Sequence, residues 1–262
     1  MTWLHQHKGI DVLQFPCLSD NYGFLVHDHE TGECTAIDTP DADAINQALA
    51  TQNWSLTQIW NTHWHPDHTG GNDALKKKWN CQITGPVAEN GRIPVMDLGV
   101  EDGAHVTLGA TKAQVLHTPG HTTGHIVYIL QEAGVAFVGD TLFALGCGRL
   151  FEGTAEQMWT SLLKLRALPD DTTVYCAHEY TEANAAFAIT ADPENDALAA
   201  RHSAIKMART KNEPTVPTTI GIEKETNPFL RADAASVINT MGLGDVSAAD
   251  VFAEVRRRKD NF

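Results

Sequence analysis

Four side chains able to ligate a metal, His63, His65, Asp67 and His68, fall within six positions just after the apolar pair Ile59 and Trp60. In extended backbone, residues two apart share a side, so His63 and His65 can reach one ion together. Pro66 turns the chain, and Asp67 and His68 then point from the start of a helix toward a second ion. Gly70 and Gly71 put no side chain in the way of that turn. Three more donors, His121, Asp140 and His178, each stand where an apolar run gives way to a loop. Loops at strand ends are where a rigid scaffold displays its chemistry. The isolated pairs His5/His7 and His27/His29 are read as surface pairs, and His105, His117 and His202 are left out.

The seven donors are all nitrogen or oxygen. They exceed the four of a closed structural zinc site and match two ions sharing a bridging carboxylate, with room for water. His63, His65 and His121 are assigned to one ion, Asp67, His68 and His178 to the other, and Asp140 to the bridge. His125 and Asp38 are expected to hydrogen-bond the ligands. Imidazole and carboxylate without thiolate suit zinc, iron and manganese alike, and two zinc ions per chain are the first expectation.

Such donors need a scaffold of strands with helices between them. Apolar and β-branched runs predict strands over 10-16, 22-27, 34-38, 57-62, 113-118, 125-130, 134-139 and 173-177. Three- and four-residue apolar spacing predicts helices over 41-52, 71-79 and 155-167. Several strands precede any long helix, which fits a mixed two-sheet α/β sandwich better than a simple parallel sheet. After residue 178 the β-branched runs stop, and 181-190, 194-211, 231-240 and 247-259 read as helices around the Pro-containing stretch 213-228. The expected organisation is therefore a catalytic domain over 1-178 and a small helical domain over 179-262.

The formal net charge of -14 over 262 residues argues against nucleic acid as a partner, because phosphate binding needs a basic surface. A small anionic substrate needs a local basic patch, and the dense candidate is Arg256 to Lys259 near the C-terminus. No stretch has the roughly 18 consecutive apolar residues of a membrane-spanning helix, and no targeting peptide is visible. The five scattered cysteines include no C-x-x-C pair, so no disulfide framework or thiolate zinc site is expected. A cytoplasmic monomer without membrane or nucleic-acid contacts is the expectation.

With these residues laid out, the chain resembles the metallo-β-lactamase superfamily, through His63 to His68, the Thr118 to Thr122 element around His121, Gly139-Asp140 and the late His178. Within it the chain is similar to the glyoxalase II, or hydroxyacylglutathione hydrolase, family. That narrower likeness rests on Asp20 to Tyr22, Gly139 to Phe143, Gly146 to Thr154, His178 to Thr181, Asn227 to Phe229 and Arg256 to Asp260. The resemblance implies an αββα metallo-β-lactamase sandwich followed by a small C-terminal helical domain. It implies hydrolysis of a glutathione thioester, typically S-D-lactoylglutathione, to glutathione and D-lactate by a hydroxide held between two metals, with Asp67 able to take up a proton. It further implies that Arg149, Phe151, Tyr180, Arg256 and Lys259 hold glutathione. Some relatives have Lys and Tyr where this chain has Arg149 and Phe151, and Phe151 has no phenolic hydrogen bond to donate. The nearest alternative that shares the metal motif is a mononuclear iron dioxygenase acting on glutathione persulfide, followed by other hydrolases of the fold.

Overall fold

The computed structural model describes residues 2–262. The chain divides into two compact units. The first runs up to His117 and takes in Gly124–Gly139; the second holds Thr118–Thr123 and Asp140–Phe262.

In the first unit β1 (Trp3–His7), β2 (Ile10–Cys17), β3 (Asn21–Asp28) and β4 (Cys34–Ile37) form an antiparallel meander. Helix α1 (Ala42–Gln52) then leads to β5 (Gln58–Trp60), which lies parallel to β4. After α2 (Pro66–Thr69) and α3 (Asn72–Trp79), β6 (Gln82–Pro86) and β7 (Leu98–Val100) extend the parallel part to complete a sheet of seven strands. A second, antiparallel set follows: β8 (His105–Leu108), β9 (Thr111–His117), β10 (Ile126–Leu130) and β11 (Val135–Gly139).

Alternation along the strands sends successive side chains to opposite faces. On β5, Ile59 joins the helix-covered cluster that holds Leu13, Leu25 and Ile83 with Ile45 and Leu49 of α1 and Leu75 of α3. Trp60 faces the other way, 5.3 Å from the Tyr128 ring of β10, while Phe24 of β3 lies 5.8 Å from Phe137 of β11. Two sheets thus meet face to face, with helices on the far side of the first. Parallel pairing of Ile37 with Trp60 also sets the carboxyl ends of β4 and β5 side by side. Asp38, after one, and Thr62 and His63, after the other, therefore emerge at one edge.

The second unit opens with the hairpin β12 (Leu142–Phe143) and β13 (Gly146–Cys147). Helix α4 (Ala155–Arg166) starts at a capping box, in which Thr154 accepts from the Gln157 backbone and Gln157 accepts from the Thr154 N–H. Then come β14 (Thr173–Cys176), α5 (Thr181–Ala191), α6 (Asp196–Thr210), β15 (Thr218–Thr219), α7 (Ile220–Thr226), α8 (Ala235–Met241) and α9 (Ala248–Asp260). Strands β14 and β15 pair with each other. Phe229 bridges the rings of Phe187 on α5 and Phe252 on α9, so the tail helices share a core. Among the described residues no helix is long and apolar enough to cross a membrane, and the five cysteines are buried and free.

The two-sheet sandwich with a helical tail is the architecture that the apolar patterns predict. The elements they miss are weak emitters of pattern. Strands β1 and β8 are half-exposed, with polar residues between the buried ones, and β6 contains a Gly-Pro pair. The stretch 213-228, read as an interruption, contains β15 and the short helix α7.

Candidate metal centre

His63 and His65 leave β5 in irregular backbone rather than on the strand itself. Pro66 keeps His65 out of the helical region, at φ -56° and ψ 146°, and itself takes the first position of α2. The result is convergence: His63 Nε2 lies 3.0 Å from His65 Nδ1, and the His68 ring centroid lies 4.0 Å from that of His63. Asp67 Oδ2 lies 3.5 Å from His68 Nε2 and accepts from Asn21 Nδ2 at 3.1 Å.

Asp38 organises this group. Its Oδ1 accepts from the Thr62 N–H at 2.7 Å, and its Oδ2 accepts from Thr62 Oγ1 and from His68 Nδ1, both at 2.8 Å. The Thr62 hydroxyl, having donated to Asp38, is an acceptor for His63 Nδ1 at 3.0 Å. With Nδ1 of each ring engaged by an acceptor, Nε2 is the nitrogen through which His63 and His68 would ligate a cation. Donor atoms of Asp38, His63 and His68 lie within 4.8 Å of one another. His125 stacks on His63, with centroids 4.8 Å apart.

In the second unit Asp140 sits between two imidazoles. Its Oδ2 is 3.4 Å from His121 Nε2 and its Oδ1 is 3.5 Å from His178 Nε2. His121 turns that nitrogen inward because its Nδ1 donates to the Arg149 carbonyl at 2.9 Å. Gly148 makes this approach feasible, since a Cβ there would lie 2.0 Å from the Asp140 carbonyl oxygen.

These spacings test whether the residues fit a metal. Hydrogen bonds of the N–H···O type span roughly 2.7–3.2 Å. Two donors about 2.0–2.2 Å from one tetrahedral zinc lie roughly 3.3–3.5 Å apart. The His68–Asp67, His121–Asp140 and His178–Asp140 separations fall in the second range, with buried imidazoles already oriented by their other nitrogens or by packing. The donor set fits a divalent metal site. Neither His5/His7 nor His27/His29 belongs to a metal-capable group among the described residues; His27 stacks on Trp54 and His29 pairs with Asp11.

Aromatic and basic residues gather beside the second set of donors. The Tyr180 ring stacks on His178 at 4.6 Å, and Phe151 meets His121 edge-on at 5.2 Å. Arg149 lies over Phe151, and both are exposed. Asp260 Oδ1 is 3.8 Å from Arg149 Nε and 2.8 Å from Arg256 Nη2. Arg256 is buried, donating through Nη1 to the Cys147 carbonyl at 3.0 Å. Lys259 is half-buried, and burial with the neighbouring Arg256 pulls its pKa below the ordinary lysine value. Arg257 and Arg258 instead pair with Glu254. The Cys147 thiol is pushed up to about 11 by burial, so it is a thiol near neutral pH.

The model of the metallo-β-lactamase superfamily matches residues 35–178, and that of the hydroxyacylglutathione hydrolase C-terminus matches residues 179–262. Fold and donor set together define a metallohydrolase of the first of these classes. Among solved structures, ETHE1 from Myxococcus xanthus is similar, at TM-score 0.64 and 26% identity over 99% of this chain and 98% of that one. TTHA1623, solved in a di-iron-bound form, is similar at TM-score 0.58 and 26% identity over 80% and 95%. A hydroxyacylglutathione hydrolase of Maricaulis maris is 54% identical over 96% of this chain and 98% of its own length. One from Hyphomonas neptunium is 50% identical over 97% and 98%. The chain belongs to the hydroxyacylglutathione hydrolase family.

Proposed function

We propose that the chain hydrolyses 2-hydroxyacylglutathione thioesters, S-D-lactoylglutathione first among them, to glutathione and D-lactate, the second step of methylglyoxal detoxification. The observation that carries this reading is the contact of Phe151 with His121 and of Tyr180 with His178. A substrate held by those rings and by Arg149, Arg256 and Lys259 has its thioester next to metal donors.

In this reading His63, His65 and His121 would hold one ion, Asp67, His68 and His178 the other, and Asp140 would bridge them. Zinc is the first choice, with iron or manganese compatible with the same donors; the di-iron form of TTHA1623 supports a two-ion centre in this fold. Two divalent ions supply Lewis acidity and bring the pKa of water toward neutrality. The chain supplies the rest. Asp67, its Oδ2 hydrogen-bonded by Asn21, takes up the proton released as water adds to the thioester carbonyl. The C–S bond then breaks, and the glutathione thiolate, with a thiol pKa near about 8.5, leaves without a strong acid. Residues 1-178 would carry the chemistry, and 179-262 would bind glutathione together with Arg149 and Phe151 of the first segment. The net charge of -14 argues against nucleic acid as a partner, and the free cysteines suit a reducing compartment such as the cytoplasm.

Comparing S-D-lactoylglutathione with the lactoyl thioester of a simple thiol tests the substrate class. The glutathione thioester should show kcat/KM at least about tenfold higher, because only it reaches the basic group. Equal values would remove glutathione from the assignment.

A further inference from the structure

The hairpin β12–β13 is held through its backbone by side chains of the helical tail. Its loop residue Leu145 has φ 58°, a left-handed conformation that is sparsely populated by residues with a side chain and persists only where the surroundings impose it. The surroundings do so. The Leu145 N–H donates to Glu223 Oε2 at 2.9 Å. Asn227 Nδ2 lies 3.2 Å from the Phe143 carbonyl oxygen and 3.0 Å from that of Gly146, and Asn184 Nδ2 donates to the Ala144 carbonyl at 3.1 Å.

Glu223 is the hub of this grip. It is fully buried, and both oxygens are occupied: Oε2 also accepts from Asn227 Nδ2 at 2.9 Å, while Oε1 accepts from Thr218 Oγ1 at 2.7 Å and from Arg201. A buried ion pair adds little stability over a well-packed apolar replacement, so it is weak evidence for a purely stabilising role. What it fixes here is geometry. Asp140 stands two residues before β12 and Arg149 two residues after β13, and both reach His121, one at each ring nitrogen. Phe143, within the hairpin, packs edge-on against His178 and Tyr180. The shape of one hairpin thus reaches three of the seven donors.

We propose that Glu223, assisted by Asn227, is a positioning residue for the metal centre: through the β12–β13 hairpin it sets Asp140, His121 and His178 and so raises metal affinity. The tail would then serve the metals as well as the substrate. This rests on the reading of those three residues as ligands.

The test is zinc affinity of the metal-free full chain, measured by competition with a chromophoric chelator, for wild type and three variants. Glu223→Gln keeps the shape but puts an NH2 where one oxygen must accept, and should lower zinc affinity by about tenfold or more. Thr218→Val removes a single hydrogen bond to Glu223 and should give a smaller loss of the same sign. Val237→Ala, a core truncation on α8, should lower Tm and leave affinity unchanged. Wild-type affinity in folded Glu223→Gln, or a loss in Val237→Ala as large as that in Glu223→Gln, overturns the proposal. If Glu223→Gln does not fold, Thr218→Val decides: unchanged affinity there overturns it too. Fewer than two zinc ions per chain in the wild type would sink the two-metal reading separately, since the affinity ratio between variants does not depend on that count.

Discussion

Asp38 decides which nitrogen of His68 would face a cation. Its Oδ2 takes the Nδ1 proton at 2.8 Å, and the same carboxylate orders Thr62, which in turn accepts from His63. Asp38→Asn cannot accept at every contact, and zinc affinity should fall by about ten- to hundredfold on chelator competition; an unchanged affinity would detach Asp38 from the site. The candidate donors and Asp38 are readable from sequence because few residue types bind metals and these cluster at strand ends. The partner of His121 is not, because the Arg149 carbonyl is backbone, which every residue possesses. Asn21 and Asn227 lie in motifs of the family likeness, and their contacts with Asp67 and the hairpin emerge only in the fold. Lys259 gives a pH signature. Its pKa lies below the ordinary lysine value, through burial first and Arg256 second, with Asp260 opposing. Its charge is therefore lost at lower pH than a free lysine's, about 10.4. Background-corrected KM for S-D-lactoylglutathione should rise as pH climbs toward that value, and Lys259→Arg, charged throughout, should flatten the rise. A flat wild-type profile would take Lys259 out of substrate binding.

Among the elements, those that bury one face were legible and those at sheet edges were not. Helix α1 announces itself by Ile45, Ala48 and Leu49 at helical spacing, all buried, and by Asp41, whose side chain accepts from the Asp43 and Ala44 N–H groups. Edge strands β1 and β8 expose alternate residues, β7 exposes two of its three, and all bury too little to print a pattern. The short hairpin β12–β13 is two residues a side, below what periodicity resolves, and its shape is imposed by α7 and the segment after it. Leu49 belongs to the cluster beneath α1 and is fully buried. Leu49→Ala should therefore cost about 2–5 kcal/mol of unfolding free energy by urea titration. A cost under about 1 kcal/mol would mean that α1 closes the cavity.

At the scale of the whole molecule, the chain is acidic, with a net charge of -14, yet it gathers Arg149, Arg256 and Lys259 in one unit with Asp140 and two histidines. A local group of cations is a means of holding an anion against the overall field, and here Asp260 offsets part of it by pairing with Arg149 and Arg256. The tail's basic run is visible in the sequence, and the family resemblance separates Arg256 and Lys259 from Arg257 and Arg258, but not the partners each one takes. Arg257 and Arg258 are spent on Glu254, and Arg256 turns inward to the Cys147 carbonyl, a partition that depends on which face of α9 each residue occupies. If the seven donors form one two-metal thioesterase, activity depends on how many ions the chain binds. Metal-free chain titrated with zinc, with bound metal determined by elemental analysis and S-D-lactoylglutathione hydrolysis followed at each point, tests it most directly. Activity should climb to its plateau at about two ions per chain. Full activity at one ion or fewer, or two bound ions with no thioester hydrolysis, would contradict it.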